Sequence, residues 1–286
     1  MVELVSSGGG RFFSTVTQYW WLIPVGFIVG TFGTLVGAGG GFILMPVLLL
    51  LYPGERPEII TSISLAVVFF NALSGSVAYA RMKRIDYKSG WLFSIASVPG
   101  AILGALTTGY IPRQLFDAIF GVLMVVVSVF LLVRPNNEKT MERTASTPLW
   151  EGSFTAGGGA NHTYSYSPIK GAALIFFVGY ISSVLGIGGG IIHVPALVHL
   201  LNFPVHIATA TSHFVLAITS LTGTLVHIAT GTFSHGVRRT ICLSIGVLIG
   251  AQLGARLSTR VQGKWIIRGL AIGLGFVGIR ILIMVL

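Results

Sequence analysis

The residues best suited to chemistry are two short glycine clusters, each inside a long apolar run. One reads Gly-Ala-Gly-Gly-Gly from Gly37 to Gly41 and the other Gly-Ile-Gly-Gly-Gly from Gly186 to Gly190. A helix that restarts after a glycine turn offers unpaired N–H groups and the positive end of its dipole, which together bind anions. Close helix packing is the alternative, because small residues also serve that purpose in membranes. Three consecutive glycines favour the binding site.

Neutral hydrogen-bonding side chains follow each cluster and suit an oxyanion that must later be released. Each cluster also leads to a proline, Pro46 or Pro195, to which we assign a structural role. Single hydroxyls in membrane helices often bond to their own backbone instead. The candidate substrate-binding residues are the cluster glycines, the following hydroxyl and amide residues, and two histidines: Gly37, Gly39, Gly40, Gly41, Thr61, Ser62, Asn71, Gly186, Gly188, Gly189, Gly190, His193, Thr211, Ser212 and His213.

The histidines lie almost entirely in the second half of the chain. His193 directly follows the second glycine cluster and His213 lies among the hydroxyl residues. Both are candidate contacts for a proton or for the substrate, so proton coupling is an open option. A metal site is the rival hypothesis, but no histidine pair at ligand spacing is accompanied by an acid or a cysteine. We therefore expect no metal and no cofactor.

The apolar segments contain no central carboxylate. Asp117 lies at the edge of one segment, and the other acids fall in loops or in a polar linker. A proton relay or sodium site built on a buried carboxylate is therefore not expected. A membrane enzyme would need a nucleophile, a base and an acid, so we expect a protein that is not an enzyme. An anion site needs no acid.

The composition indicates an integral membrane protein. Hydrophobic residues make up 53% of the chain and charged residues 9%, against about 25% charged residues in soluble domains. The net charge of +10 comes from basic residues clustered between apolar runs, where they anchor and orient helices. We therefore expect the lipid bilayer, and not a nucleic acid, as the partner of this charge.

The pattern predicts an all-α integral membrane protein with about eight transmembrane segments in two homologous repeats. The first repeat spans 18–135, a polar linker spans 136–167 and the second repeat spans 168–286. The first segment of each repeat is too long for one straight span and too short for two. We therefore predict broken glycine-rich helices or re-entrant hairpins in segments 1 and 5. Parallel and inverted repeats both remain open, as does the oligomeric state.

The duplicated motifs resemble those of the TauE/SafE family of sulfite and organosulfonate exporters. The resemblance rests on Gly-x-Gly-Gly-Gly-x-x-x-x-Pro in both halves, on the Thr/Ser-rich second segment, and on Pro99-Gly100-Ala followed by Gly104-Ala. It covers nearly the whole chain outside the linker. It implies a multi-pass plasma-membrane protein that moves small sulfur-containing anions such as sulfite, thiosulfate or organosulfonates.

The sequence and the resemblance together predict a secondary transporter, acting as an exporter by alternating access around a site between the repeats. We expect the two glycine clusters to lie together near the bilayer midplane, facing a shared polar cavity. The alternatives are an anion channel, a permease for another small oxyanion or carboxylate, and, less favoured, a membrane-embedded enzyme.

Overall fold

A computed structural model describes residues 19–133, 151–155, 161–165, 168–201, 203–258 and 263–285. Nearly all of these residues are helical, and among them each half of the chain holds five α-helices, two shorter ones followed by three longer ones. The first half contains α1 (Leu22–Val36), α2 (Gly41–Leu51), α3 (Pro57–Arg81), α4 (Tyr87–Thr108) and α5 (Arg113–Val133). The second half contains α6 (Pro168–Val184), α7 (Gly190–Leu200), α8 (Val205–Ala229), α9 (Val237–Leu257) and α10 (Gly263–Val285).

Among the residues that the structure describes, five helices are long and apolar enough to cross a membrane, judged by length and composition: α3, α4, α5, α8 and α9. The most apolar part of α3 is 83% buried within the protein, whereas that of α5 is 28% buried. Helix α3 therefore lies at the centre and α5 at the periphery. The described part of the chain is a helical membrane protein, as the sequence predicted.

The long first segment of each half is broken into two helices, which confirms the predicted interruption. Helix α1 is capped by Gly37, whose φ of 86° is left-handed. The Gly37 N–H donates to the carbonyls of Gly33 and Thr34 in the last turn of the helix. Helix α2 begins immediately after Gly40, whose φ is 77°. Glycine adopts such angles at no steric cost, so it both ends the first helix and starts the second. The second half repeats the break between α6 and α7.

Helices of one half pack mainly on helices of the other half. The pairs are α1 with α9, α4 with α6, and α5 with α10, around a central pair of α3 and α8. A side chain at Gly100 of α4 would collide with the Phe176 carbonyl of α6, and one at Gly250 of α9 would collide with the Phe27 carbonyl of α1. These glycines bring the backbones together, so the two halves interlock.

A polar loop between α2 and α3 is tied to both halves. Arg113 donates from Nη1 to the Glu55 carbonyl at 2.7 Å and from Nε to Asp117 at 2.7 Å. Arg239 of α9 pairs with the Glu55 carboxylate at 2.8 Å, and its guanidinium lies 4.1 Å from the Tyr52 ring centroid. Charged groups therefore fix this loop at a helix end, outside the apolar core.

The linker contains a feature that the sequence analysis did not predict. Strands β1 (Glu151–Thr155) and β2 (Asn161–Ser165) form an antiparallel hairpin, with Phe154 opposite His162. The aromatic and β-branched residues Phe154, Thr155, Thr163 and Tyr164 favour this extended pairing over an unstructured linker. Residues 136–150, 156–160 and 166–167 of the predicted linker lie outside the described part of the chain, so the domain boundaries remain predictions.

Candidate anion-binding site at the glycine turns

The two glycine turns have the same backbone conformation. Gly37, Gly39 and Gly40 have φ values of 86°, 70° and 77°. The corresponding values for Gly186, Gly188 and Gly189 are 67°, 70° and 91°. Side chains other than hydrogen are strained in this region, so each turn requires glycine at all three positions.

Each turn leaves the N-terminus of a helix without backbone partners. In the first turn, Ala38 and Gly39 donate to the Gly33 carbonyl at 2.9 and 3.1 Å. Among the described residues, no backbone carbonyl accepts from the N–H groups of Gly40, Gly41 or Phe42. The same holds for the three equivalent N–H groups that begin α7, those of Gly189, Gly190 and Ile191. Unpaired donors at the positive end of a helix dipole are the groups that bind an anion.

The two turns touch each other reciprocally. A Cβ at Gly41 would meet the Ile187 carbonyl, and a Cβ at Gly190 would meet the main chain of Ala38. The predicted proximity of the clusters is therefore confirmed, and their depth in the bilayer remains a prediction. The contact itself is closed and backed by the apolar side chains of Val68 and Leu216. The polar groups lie beside this contact, whereas the sequence analysis expected the clusters to face a shared polar cavity.

Polar groups from several helices lie beside the first turn. The Asn71 amide nitrogen lies 3.5 Å from the point where a Cβ on Gly40 would stand. It has no hydrogen-bond partner within the described structure. The Asn71 amide oxygen accepts a hydrogen bond from Thr34 at 3.2 Å. Tyr79 donates to the Thr34 carbonyl at 2.8 Å and meets the His213 ring edge-on at 5.3 Å. His213 therefore belongs to this buried cluster, although it comes from the second half.

Beside the second turn lies a smaller cluster that holds His193. The Ser182 hydroxyl oxygen and the His193 Cε1 atom lie 2.6 and 3.4 Å from the Cβ position of Gly189. Ser182 is 0% exposed and His193 is 1% exposed. The Ser182 hydroxyl and both ring nitrogens of His193 have no hydrogen-bond partner among the described residues. Buried polar groups are normally partnered, so this cluster is suited to receive a ligand.

Of the remaining predicted side chains, two have hydroxyls without a partner among the described residues and two are hydrogen-bonded to the main chain. Thr61 packs against Gly186, and its hydroxyl lacks a partner in the described structure, as does that of the buried Ser212. Ser62 donates to the Ile59 carbonyl of its own helix at 2.7 Å. Thr211 accepts from the Asp86 N–H at 3.1 Å, at the loop before α4. Substrate roles for Ser62 and Thr211 remain predictions without support from this geometry.

The two prolines and one further serine shape the turns. Pro46 is buried within α2 and Pro195 is half-buried within α7, each in the second turn of its short helix. Ser64 donates to the Gly186 carbonyl at 2.6 Å and so holds the second turn from α3.

Sequence reasoning missed Thr34, Tyr79 and Ser182. Thr34 and Ser182 precede the glycine clusters in the chain, whereas the predicted residues belong to the clusters or follow them. Their shared position in the last turn of the preceding helix, together with Ser183, was the signal that could have found them.

Acidic and metal-binding groups are sparse near the turns. Among the described residues, no group of three histidine, cysteine or acidic side chains is placed to hold a metal ion. Glu55 and Asp86 lie in loops, Glu58 lies in the first turn of α3, and Asp117 lies near the start of α5. The electrostatic character of the site therefore comes from helix N-termini and neutral donors.

Comparison with known proteins identifies the family. The sulfite exporter TauE/SafE family matches residues 22–281. "Probable membrane transporter protein YunE" of Bacillus subtilis is 34% identical over 91% of this chain and 96% of its own. "Probable membrane transporter protein MJ0441" of Methanocaldococcus jannaschii is 24% identical over 92% of this chain and 94% of its own. No solved structure matches significantly. With its apolar helices and paired glycine turns, this chain is a multi-pass membrane protein that belongs to the TauE/SafE family of membrane transporters.

Proposed function

We propose that this protein is a secondary transporter that exports small sulfur-containing anions. The observation that carries the proposal is the pair of touching glycine turns, each of which presents three unpaired N–H groups at a helix start. Two such starts side by side concentrate positive potential without a buried lysine or arginine. A site of this kind binds an anion weakly enough to release it on the far side.

The surrounding side chains support an oxyanion over a cation. The described carboxylates lie at helix ends, in loops and in the β-hairpin, whereas a cation site is normally built with a carboxylate close by. The available side-chain groups are the Asn71 amide, the hydroxyls of Thr61, Ser182 and Ser212, and the ring of His193. Amide and hydroxyl hydrogens donate to oxyanion oxygens.

The choice of sulfur rests on the family. The matching family is described as sulfite exporters, and the relatives are named only as membrane transporters. Sulfite, thiosulfate and organosulfonates present two or three oxygens to converging N–H donors. We therefore assign this substrate class to the chain, with export as the direction.

The mechanism we propose is alternating access between two repeats of about four spans each. Five helices of each half recur in order, and each glycine turn makes the same contacts with the opposite half. Transporters built from repeats commonly place the substrate at broken helices between them. In this protein the broken elements are α1–α2 and α6–α7, and rocking of the interlocked pairs would expose them to alternate sides.

An anion channel would share the glycine turns but would lack alternating states. Proteoliposomes loaded with unlabelled sulfite separate the two mechanisms. A transporter accelerates uptake of labelled sulfite when substrate is present on the opposite side, whereas a channel shows no such trans-stimulation. A permease for carboxylates would be recognised by competition from small carboxylates, and a membrane enzyme by chemical change of the substrate.

Binding to the purified protein tests the site. Sulfite, thiosulfate, a sulfonate and sulfate are titrated against the wild type, Gly40→Ala and Gly189→Ala. Both substitutions force a side chain into left-handed backbone and against Val29 or Ser182, so we expect at least a tenfold loss of affinity. Lys88→Gln, at an exposed position, and Gly54→Ala, where a Cβ meets no neighbour within 4 Å, are the controls. Binding of cations or neutral solutes without any oxyanion contradicts the proposal.

A further inference from the structure

We propose that Ser182 and His193, with the first N–H groups of α7, form a distinct oxyanion subsite in the second half of the protein. This inference rests on the proposed function and specifies part of its binding site. The subsite holds its ligand through imidazole and hydroxyl groups, whereas the first turn offers the amide of Asn71. The two halves therefore bind the anion by different chemistry.

The first half shows that the turn itself does not need these polar groups. The residues equivalent to Ser182 and His193 are Gly33 and Leu44. The first turn adopts the same left-handed angles with this apolar pair. Ser182 and His193 are consequently not required to form the turn, and their burial without protein partners needs another explanation.

The groups converge on one place. The Ser182 hydroxyl and the His193 ring both border the Cβ position of Gly189, the residue before α7. Helix α7 runs for 11 residues from Gly190. Among the described residues, its first N–H groups have no backbone acceptor. A ligand beside Gly189 would meet a helix N-terminus, a hydroxyl and an imidazole together. The Ser182 and His193 side chains must shift to admit it, because a Cβ at Gly189 would already lie 2.6 Å from the Ser182 hydroxyl.

The described helices packed on α7 carry no negatively charged side chain, so the negative charge at this site would come from the ligand. Helices α6 and α8 pack on α7, and neither contains an acidic residue. Their titratable side chains are Lys170, Tyr180, His206, His213 and His227. The protein therefore provides no carboxylate on these helices to accept a hydrogen bond from the His193 ring. A small sulfur oxyanion supplies both the negative charge and the acceptor oxygens.

The matched test replaces the second-half pair with its first-half counterparts. The double variant Ser182→Gly/His193→Leu is compared with the wild type in calorimetric titrations with sulfite. We expect at least a tenfold loss of affinity. His235→Leu removes an exposed histidine and should bind as the wild type does. Sulfite affinity in the double variant equal to that of the wild type overturns the subsite.

A second measurement does not depend on the double variant folding. The full-length wild type is labelled with ¹⁵N at histidine rings, and the His193 resonances are assigned by their loss in His193→Gln. Saturating sulfite should shift the His193 ring nitrogens, while His235 stays unchanged. His193 resonances that do not move under saturating sulfite overturn the inference while leaving the proposed function intact. A wild type that binds no sulfur oxyanion at all refutes the proposed function instead.

Discussion

Gly190→Ala tests whether the contact between the two turns holds the halves together. Gly190 begins α7 without a left-handed angle, so alanine is acceptable to its own backbone. The new methyl would instead strike the main chain of Ala38 in the opposite turn. A backbone segment fixed by hydrogen bonds to Gly33 cannot rotate away as a side chain can. The variant therefore separates steric conflict from conformational strain.

The expected cost follows from overpacking a closed interior, about 1–3 kcal/mol. A loss of 1 kcal/mol lowers the Tm by roughly 2–4 °C in chains of comparable length, so a mid-range cost of about 2 kcal/mol corresponds to roughly 4–8 °C. Gly54→Ala is the neutral control, because its Cβ meets nothing within 4 Å. Gly231→Ala measures the cost of left-handed backbone without a steric clash, because Gly231 has a φ of 76° and its Cβ also meets nothing within 4 Å.

Tryptophan fluorescence during heating in detergent measures the Tm, and sulfite efflux from proteoliposomes measures function. Gly190→Ala should lose both stability and efflux, whereas Gly231→Ala should lose only about 1–2 kcal/mol of stability. If Gly190→Ala melted and transported like Gly54→Ala, the reciprocal contact would not hold the halves together, and the reasoning would fail.

Three further predictions concern protons, charge and helix packing. If transport is proton-linked, replacing His193 and His213 together with Gln should flatten the pH dependence of uptake, because no carboxylate on the helices around them could carry the proton instead; an unchanged profile rejects the idea. Glu55→Gln should remove the ion pair with Arg239 and cost up to about 1 kcal/mol, and the Tm of the variant should respond less to 1 M salt than that of the wild type; an identical salt response argues against the ion pair. Gly250→Ala should push α9 from the Phe27 carbonyl of α1 and lower the Tm by an amount similar to Gly190→Ala, and an unchanged Tm would exclude tight packing there.

The turns could be predicted from the sequence because glycine and proline change the backbone conformation at their own positions. Three glycines in left-handed backbone interrupt a helix whatever surrounds them, so a break at each glycine cluster was predictable from the residues alone, and the structure places the helix ends at Val36 and Val184. The side chains that line the turns were harder to predict, because their roles depend on which way each helix faces. Thr61 lies against Gly186 while its neighbour Ser62 bonds to its own backbone.

The pairing of helices across the halves was not predictable from local pattern. Gly100 and Gly104 indicate a close helix contact, but the partner α6 follows only after the linker. Nothing in the residues near α4 specifies that partner. Position in the chain could have nominated Ser182 and Thr34, but only the packed structure shows that they border Gly189 and Asn71.

The interlocked pairing sets the order of events during synthesis. When the ribosome has completed α5, the glycine faces of α1 and α4 still lack α9 and α6, against which they pack. The first half must therefore persist in the membrane with its contact surfaces turned to lipid until translation of the second half is nearly complete. A chain truncated in the linker should be a substrate for membrane proteases, whereas the two halves produced as separate chains in one cell should protect each other.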